Sequence, residues 1–380
     1  MVAIVTKPDA ERPVHVFVVG VSRYRHLEDG SEPSDTGRAS GLEQLSSAAR
    51  SASEFAAWVL KNVPESRLAS LYVNVAPAEN EQLHPDIQHR LPDEPTATRA
   101  DVVKDWETFY NDCDGARDAN VYVYVAGHGI QIGIEGAILL LEDFGVPRKP
   151  KLWAALDLVG MSKTLRGADF PALQYWFIDC CRERTDAADY EVAELQKPYV
   201  GFDVPEGLCR AAPVFFATFP RGLAWARPGG VSLFNEGLIS ALRVDAATPP
   251  QGGTDRWCVT TSSLARVLNQ YVAQQSGDLN QKVHLSGHLG TANEVLHEFA
   301  APPVFNLTIT LDPSAAYNVA TADIDRDDAR VVQNASDWPL ERELPGGMYI
   351  IHINAEPDYP NATRAYSLTP QDCRYEVRLT

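Results

Sequence analysis

Gln174-Tyr-Trp-Phe-Ile-Asp-Cys-Cys-Arg182 is the stretch of sequence that decides the fold of this chain. Residues 175–178 form a short aromatic and β-branched run, which is the composition of a buried strand. The run ends abruptly at Asp179, Cys180 and Cys181. Open α/β sheets place their ligands and their chemistry at the carboxyl ends of their strands. The stretch therefore predicts a central strand with a thiol at its reactive end.

A second apolar run ends in the same manner further upstream. Val121-Tyr-Val-Tyr-Val125 leads directly into Ala126-Gly127-His128-Gly129. His128 precedes Cys181 by 53 residues, so the imidazole and the thiol follow two different strands. A thiol needs a neighbouring base to become a nucleophile, and histidine is the usual base. The two strand ends together predict a catalytic pair of His128 and Cys181.

At these two strand ends the sequence resembles the caspase–metacaspase superfamily of cysteine proteases. Ala126-Gly127-His128-Gly129 resembles the histidine motif of that family, and Asp179-Cys180-Cys181 resembles the Asp-x-Cys motif of metacaspases and their bacterial relatives. The resemblance extends over about residues 14–300. It implies an α/β fold in which helices cover both faces of a caspase-like sheet.

The resemblance also implies the roles of individual residues. Cys181 corresponds to the nucleophile and His128 to its base, so these two are the predicted catalytic residues. The backbone N–H groups of Gly129 and Cys181 correspond to the oxyanion hole. Asp179 and Cys180 correspond to substrate-binding or supporting positions. Glycines on both sides of His128 would allow the backbone to approach a substrate closely.

Cys180 is the alternative nucleophile. Neighbouring side chains of a strand point to opposite faces, so only one of Cys180 and Cys181 can face His128. The motif assigns that place to Cys181. Metal binding by the two adjacent cysteines is not expected, because neither a Cys-x-x-Cys pair nor a histidine at zinc spacing lies nearby. We expect neither a metal nor a cofactor.

Some metacaspases depend on calcium, so the acidic residues before the His128 strand are candidates for a calcium site. Asp112, Asp114 and Asp118 do not have the spacing of a calcium-binding loop. They indicate a solvated surface.

Two interpretations of Asp179 remain open. In metacaspases the matching acid lines the pocket for the residue before the cleaved bond and favours Arg or Lys there; an ordinary acid at this place would cap backbone N–H groups. The sequence departs from the metacaspase pattern at Arg182-Glu183-Arg184 and at Ala49-Arg50-Ser51, where a second acid is expected. Arg50 or Arg38 could instead bind an acidic substrate residue.

The periodicity of the remaining chain predicts alternating strands and helices, and hence a parallel sheet covered on both faces. The segment 281–290 is expected to return to the edge of that domain. Residues 182–208 are either a loop cleaved during activation or an ordinary surface excursion. The predicted strands are 14–21, 71–75, 121–125, 136–141, 175–178 and 212–218, and the predicted helices are 42–59, 99–110, 154–165, 232–242 and 261–275.

The composition changes at Ala300-Ala301-Pro302-Pro303, which predicts a peptidase domain over residues 1–300 and a second domain over 301–380. Short alternating runs separated by turn residues follow, and they predict a small antiparallel β-sandwich. This β module is expected to serve in docking, in interaction or in structural support. Its predicted strands are 304–311, 317–324, 348–354, 365–368 and 375–379.

The overall composition excludes several classes of protein. The chain has 380 residues and a formal net charge of −18, without the basic patch of a nucleic-acid-binding protein. It lacks the run of about 18 to 20 apolar residues that spans a bilayer, and Met1 to Pro13 lacks an apolar signal core. We therefore expect a cytoplasmic protein that binds no membrane. Its six irregularly spaced cysteines are expected to be reduced.

These observations lead to one main functional hypothesis. The chain is expected to be a cysteine endopeptidase that cleaves selected proteins, after a basic residue if Asp179 lines the pocket. Bacterial relatives imply regulated proteolysis, including antiviral defence and cell death, together with an activator or partner protein. The alternative is an inactive caspase-fold scaffold that recruits a partner through its β module. A nucleotide-binding domain is disfavoured, because no phosphate-binding glycine motif follows the first strand.

Overall fold

The computed structural model describes residues 3–7, 10–132, 136–167, 169–182, 209–250, 255–291, 293–327 and 329–379. The segment 183–208, for which sequence alone left two interpretations, lies outside the described residues. The chain divides into two compact units. The first comprises Met1–Ile239 and Ala265–Glu294, and the second comprises Ser240–Leu264 and Val295–Thr380. A domain boundary near residue 300 stays a prediction, but residues 240–264 group with the C-terminal unit.

The strands are numbered along the chain. They are β1 Ala3–Thr6, β2 Val14–Val21, β3 Leu68–Ala76, β4 Asn120–Gly127, β5 Gly129–Ile132, β6 Gly136–Leu140, β7 Ala155–Asp157, β8 Leu173–Cys180, β9 Ala212–Phe216, β10 Ala247–Thr248, β11 Cys258–Thr260, β12 His284–His288, β13 Val295–Glu298, β14 Val304–Asp312, β15 Thr321–Arg326, β16 Ala329–Ala335, β17 Leu340–Pro345, β18 Gly347–Asn354, β19 Ala362–Leu368 and β20 Arg374–Arg378.

The helices are numbered in the same way. They are α1 Asp35–Ala39, α2 Ala48–Asn62, α3 Pro85–Gln88, α4 Arg99–Cys113, α5 Leu158–Thr164, α6 Leu233–Ser240 and α7 Thr261–Ser276. A π-helical segment spans Ala241–Asp245, and short 3₁₀ helices span Gly277–Leu279 and Ser314–Asn318. Among the residues that the structure describes, every helix is too short or too polar to cross a membrane.

A seven-stranded sheet forms the centre of the first unit, in the order β1-β3-β2-β4-β8-β9-β12. The five inner strands are parallel, while β1 and β12 pair antiparallel at the two edges. The return of residues 281–290 to the sheet edge, expected from the sequence, is confirmed by β12. Residues 174–180 belong to the inner strand β8, which lies beside the middle strand β4.

Both faces of this sheet are covered by helices, as the alternation of side chains requires. Phe17 of β2 contacts Trp106 and Phe109 of α4, with ring centroids 5.2 and 5.3 Å away. On the opposite face, Phe55 of α2 stacks on Tyr124 of β4 at 4.9 Å. Aromatic pairs of this kind stabilise a core beyond the area they bury. The mixed α/β architecture expected from the sequence is confirmed.

Two predicted helices of the first unit are wrong over part of their length. Residues 42–47 of the predicted helix 42–59 are not helical, because α2 begins at Ala48. Residues 154–165 do not form one helix, because Ala155–Asp157 pairs with β6 as strand β7. The helix α5 begins only after Asp157, whose side chain accepts a hydrogen bond from the backbone N–H of Gly160. Strand pairing with a distant segment overrides the local helical pattern.

The second unit is rich in strands. A four-stranded sheet has the order β16-β15-β18-β19, and a three-stranded sheet has the order β17-β14-β20. Alternating side chains of these sheets, among them Leu307, Ile309, Ile351 and Ile353, share one apolar core. A third small sheet has the order β10-β11-β13. The β-rich architecture is confirmed, although β14 and β20 pair parallel rather than antiparallel.

Residues 317–324 also differ from the single strand that the sequence predicts. The 3₁₀ helix Ser314–Asn318 comes first, and β15 starts only at Thr321.

Candidate active site

The parallel pairing of β4 and β8 brings the two sequence motifs together. Gly127 lies opposite Cys180 in the register of these strands. His128 and Cys181, the next residues along each strand, therefore emerge at the same edge of the sheet. Both strands are almost entirely buried, so their ends are held in place by the core.

A cavity of about 320 Å³ lies at this edge of the sheet. His128, Cys181 and Asp179 line it together, and the segment 223–226 and Ser232 form another part of its wall. The predicted base, nucleophile and acid thus share one cavity, whose volume matches that of small-ligand pockets. Within the described ranges, no group of three or more His, Cys, Asp or Glu side chains is arranged to hold a metal ion.

His128 is half-buried and is contacted by two polar groups. Its ring atom Nε2 lies 2.7 Å from the backbone carbonyl oxygen of Glu43, and its backbone N–H donates to the Tyr24 hydroxyl at 2.8 Å. A carbonyl can only accept, so Nε2 carries the proton and Nδ1 of the neutral ring is an acceptor. Burial lowers the pKa of His128, and the Glu43 carbonyl opposes this shift by stabilising the charged ring.

Cys181 is half-buried and lies against the segment 223–226. The backbone N–H of Ala224 donates to Cys181 Sγ at 3.3 Å, and Sγ lies 3.8 Å from the Ala224 carbonyl oxygen. The first contact stabilises a thiolate, whereas the second, in which the thiol donates to the carbonyl, stabilises the neutral thiol. The immediate surroundings of Cys181 are therefore polar.

Cys180 has different surroundings. Its side chain is 2% exposed and belongs to the apolar core of the unit. Burial raises the pKa of this thiol far above its ordinary value, and the neighbouring Cys181 and Asp179 add to the effect. A thiol that resists ionisation is a poor nucleophile. Of the two adjacent cysteines, Cys181 has the environment that suits nucleophilic chemistry.

Gly129 fits closely against both cysteines. A Cβ atom built on Gly129 would lie 2.3 Å from the Cys181 carbonyl oxygen and 2.5 Å from Cys180 Sγ. The absence of a side chain therefore allows β5 to begin beside the end of β8. The assignment of the Gly129 and Cys181 N–H groups to an oxyanion hole stays a prediction.

Asp179 is 5% exposed and accepts hydrogen bonds from two side-chain hydroxyls. Tyr124 donates to its Oδ2 at 2.5 Å, and Ser232 donates to the same oxygen. Burial raises the pKa of Asp179 to about 6, and these two donors oppose the rise. A polar group behind this site contains Asn235, which donates to the Tyr124 hydroxyl and to the Ser51 carbonyl.

Two arginines at which the sequence departs from the metacaspase pattern, Arg182 and Arg50, have structural contacts. Arg182 is 1% exposed, lies over the Phe216 ring at 4.2 Å and donates to His284 Nδ1 at 3.0 Å. Arg50 donates to the Gly229 carbonyl at 2.6 Å. Neither Arg50 nor Arg38 is among the described residues that line the cavity, so this pocket gives no support to arginine recognition of an acidic substrate residue.

Sequence reasoning did not identify several residues of the site. Tyr124 and Ser232 contact Asp179, and Tyr24 and Glu43 contact His128. A tyrosine inside an otherwise apolar strand is a usable signal, because a buried hydroxyl needs a partner. Glu43 contacts His128 through its backbone carbonyl, which every residue type has, so the sequence does not indicate this contact.

The chain is similar to several known proteins. Residues 73–291 match the profile of the caspase domain, peptidase C14. An uncharacterized protein, y4kE, of Sinorhizobium fredii (strain NBRC 101917 / NGR234) is 26% identical over 203 residues, which are 52% of this chain. The match covers 57% of the length of that relative. The crystal structure of caspase-1 from Spodoptera frugiperda is similar with a TM-score of 0.42 and 12% identity, covering 74% of this chain and 88% of that one.

Proposed function

Because the chain belongs to the caspase domain family of cysteine peptidases, we propose that it is a cysteine endopeptidase that uses Cys181 and His128. The observation that carries the proposal is the shared cavity at the paired ends of β4 and β8. His128 supplies an accepting Nδ1, since the Glu43 carbonyl occupies Nε2–H. Cys181 is less buried than Cys180 and accepts a backbone hydrogen bond, whereas burial raises the pKa of Cys180 and keeps that thiol neutral.

The proposed reaction follows from these groups. His128 takes the thiol proton, and Cys181 Sγ attacks the carbonyl carbon of the substrate peptide bond. The N–H groups of Gly129 and Cys181 stabilise the oxyanion; a donor of this kind contributes about 2.7–4 kcal/mol to the transition state. His128 then donates its proton to the leaving amine, and water hydrolyses the thioester.

The proposed substrates are proteins with Arg or Lys before the cleaved bond. Asp179 supports this specificity, because it is among the residues that line the cavity that also contains Cys181. A partly desolvated carboxylate attracts a basic side chain and repels an acidic one. We further propose that the enzyme acts in the cytoplasm in regulated proteolysis, as in antiviral defence or cell death, and that an activating partner controls it.

The nucleophile assignment is tested by two matched substitutions. Cys181→Ala should abolish cleavage of fluorogenic Arg and Lys peptides and labelling by a thiol-reactive peptide probe. Cys180→Ala removes the neighbouring thiol and should leave labelling at Cys181. Cleavage that persists in Cys181→Ala would refute the assignment.

The same probe distinguishes an enzyme from the scaffold. Labelling that is lost in both Cys181→Ala and His128→Ala supports the catalytic pair. If the wild-type chain stays unlabelled with every candidate activator, a caspase-fold scaffold that recruits a partner is favoured instead.

A further inference from the structure

Gln44 connects the two parts of the chain that hold His128. Its side-chain Oε1 accepts the backbone N–H of Tyr24 at 2.7 Å, and its Nε2 donates to the Tyr24 carbonyl at 2.8 Å. This pair of bonds fixes the orientation of the amide. In the reversed orientation the amide NH₂ would face the Tyr24 N–H and the amide oxygen would face the Tyr24 carbonyl, so neither bond could form. The Gln44 side chain thus bridges its own segment to the residues that follow β2.

Each of the two segments joined by this bridge contacts His128. Glu43, the sequence neighbour of Gln44, accepts from His128 Nε2 at 2.7 Å. Tyr24 is fully buried, its hydroxyl accepts the His128 backbone N–H at 2.8 Å, and its ring lies 5.0 Å from the imidazole. Movement of the bridge would therefore change both contacts of the imidazole together.

We propose that Gln44 is a positioning residue for His128: it keeps the Glu43 carbonyl and the Tyr24 side chain at the spacing that holds the imidazole in its Nε2–H tautomer. The proposal rests on the proposed function, because an accepting Nδ1 matters only if His128 takes the thiol proton. A base held in the wrong tautomer cannot accept that proton. Gln44 acts through its neighbours and is not a catalytic residue.

The structure favours local loosening over unfolding when Gln44 is replaced. A separate backbone bond, from Leu45 N–H to the Ser22 carbonyl at 2.9 Å, also holds this segment. Gln44 is half-buried at the cavity wall and is not part of the apolar core. Gln88 offers a matched control, since it is exposed and lies outside the residues that line the cavity.

The direct test measures the imidazole itself. In the full chain labelled with ¹⁵N-histidine, the His128 signals are identified by their loss in His128→Gln. The wild type and Gln88→Ala should show His128 mainly as the Nε2–H tautomer at neutral pH. Gln44→Ala should show a mixture of tautomers and a lower pKa of His128, because the Glu43 carbonyl no longer stabilises the charged ring. Tyr24, which contacts the ring, the cavity residues Cys180, Cys181 and Asp179, and Glu43, whose carbonyl contacts Nε2, are all retained in Gln44→Ala.

Kinetics provide the second test. Gln44→Ala should lower kcat by about tenfold to a hundredfold, the loss that a misplacement of about 1 Å produces, with a much smaller change in KM. Gln44→Glu keeps the acceptor for the Tyr24 N–H but places an oxygen against the Tyr24 carbonyl, so its tautomer mixture should lie between those of Gln44→Ala and the wild type.

An unchanged tautomer and pKa of His128 in Gln44→Ala would overturn the proposal, whatever the activity. Failure of the proposed function looks different. In that case Cys181 would remain unlabelled in the wild type, while the ¹⁵N spectra would still report whether Gln44 holds the ring. If Gln44→Ala does not fold, the proposal is refuted when Gln44→Glu folds and keeps the wild-type tautomer.

Discussion

Asp179 carries a charge that its surroundings oppose. It is 5% exposed, and burial raises its pKa to about 6, against an ordinary value of 3.8. The hydroxyls of Tyr124 and Ser232 stabilise the ionised form without fully offsetting the cost of burial. The carboxyl of the proposed specificity pocket therefore changes its charge near pH 6.

This change of charge predicts a specificity that depends on pH. The ratio of kcat/KM for an Arg peptide to that for a Leu peptide should rise by about tenfold as the pH increases through about 6, since an ion pair at about 4 Å is worth on the order of 1–4 kcal/mol near a protein surface. Fluorogenic peptides that differ only at this residue measure the ratio between pH 5 and 8. A ratio that is independent of pH would contradict the role of Asp179.

Tyr124→Phe should move the midpoint of that transition to higher pH. The substitution removes one hydrogen-bond donor to the carboxylate, so the pKa of Asp179 rises further. A shift of about one unit is expected, because a hydrogen bond to a charged group contributes about 1.5–3 kcal/mol. Tyr122→Phe, two residues earlier on the same strand, is the control and should leave the midpoint in place, because it retains the hydrogen bond from Tyr124 to Asp179.

The same pKa predicts how stability depends on pH. The folded-state pKa of about 6 lies above the unfolded value of 3.8, so between these values the folded chain binds more protons. This contribution to stability is complete below about pH 4 and is lost as the pH rises through 6; it amounts to about 3 kcal/mol at about 1.4 kcal/mol per unit. In Asp179→Asn, urea unfolding should lack this decline. A decline of equal size in the variant would show that other groups cause it.

The residues proposed to be catalytic are named by the sequence, and the structure places both at one cavity, but the sequence does not indicate their partners. His128 and Cys181 follow apolar runs and carry characteristic chemistry. Their partners come from distant segments, such as Glu43 and Ala224, which act through the backbone and have no side-chain signature. Which backbone groups meet a side chain depends on tertiary packing.

The same distinction holds for whole elements. Strands with strong periodicity were predicted well: Val14–Val21 was correct at both ends, and β8 extends the predicted 175–178 to Leu173–Cys180. Other elements were wrong in part, and the helix 154–165 shows the reason, because Ala155–Asp157 gains its hydrogen bonds from β6. Strand pairing with another segment is invisible to local periodicity.

The closely packed start of β5 leads to a prediction about Gly129. Gly129→Ala would place a Cβ atom 2.3 Å from the Cys181 carbonyl oxygen and 2.5 Å from Cys180 Sγ, so the end of β8 must shift. We expect a loss of about 1–3 kcal/mol in stability, typical of overpacking, and a marked loss of peptidase activity. Calorimetry and peptide cleavage measure the two effects.

Gly230→Ala is the matched control for Gly129→Ala. A Cβ atom at Gly230 would meet its nearest neighbours at 3.4 Å, an ordinary contact distance. This variant should remain close to the wild type in both measurements. Equal effects of the two substitutions would mean that the junction of β5 and β8 tolerates an added methyl group.

At the scale of the whole molecule, composition revealed the C-terminal strands but not all residues that group with them. The change of composition near residue 300 places residues 240–264 in the predicted first domain. In the structure these residues group with the second compact unit. They are separated from the rest of that unit by α7 and β12, so a linear change of composition cannot assign them. Trp257 shows the connection, since it packs in the same apolar core as the C-terminal strands.

Trp257 should therefore stabilise the C-terminal unit although it lies more than forty residues before β14. Its side chain is 5% exposed and its ring lies 5.8 Å from that of Phe305. Trp257→Ala should lower the free energy of unfolding by about 3–5 kcal/mol, as for other large aromatic residues in cores, because the cavity that the substitution leaves is only partly filled. Hydrogen exchange of the full chain should accelerate in β14 and β18. Val304→Ala is the control: this residue is 55% exposed, so the substitution should change the stability and the hydrogen exchange little. Unchanged exchange in β14 after Trp257→Ala would show that residues 240–264 contribute little to the stability of this unit.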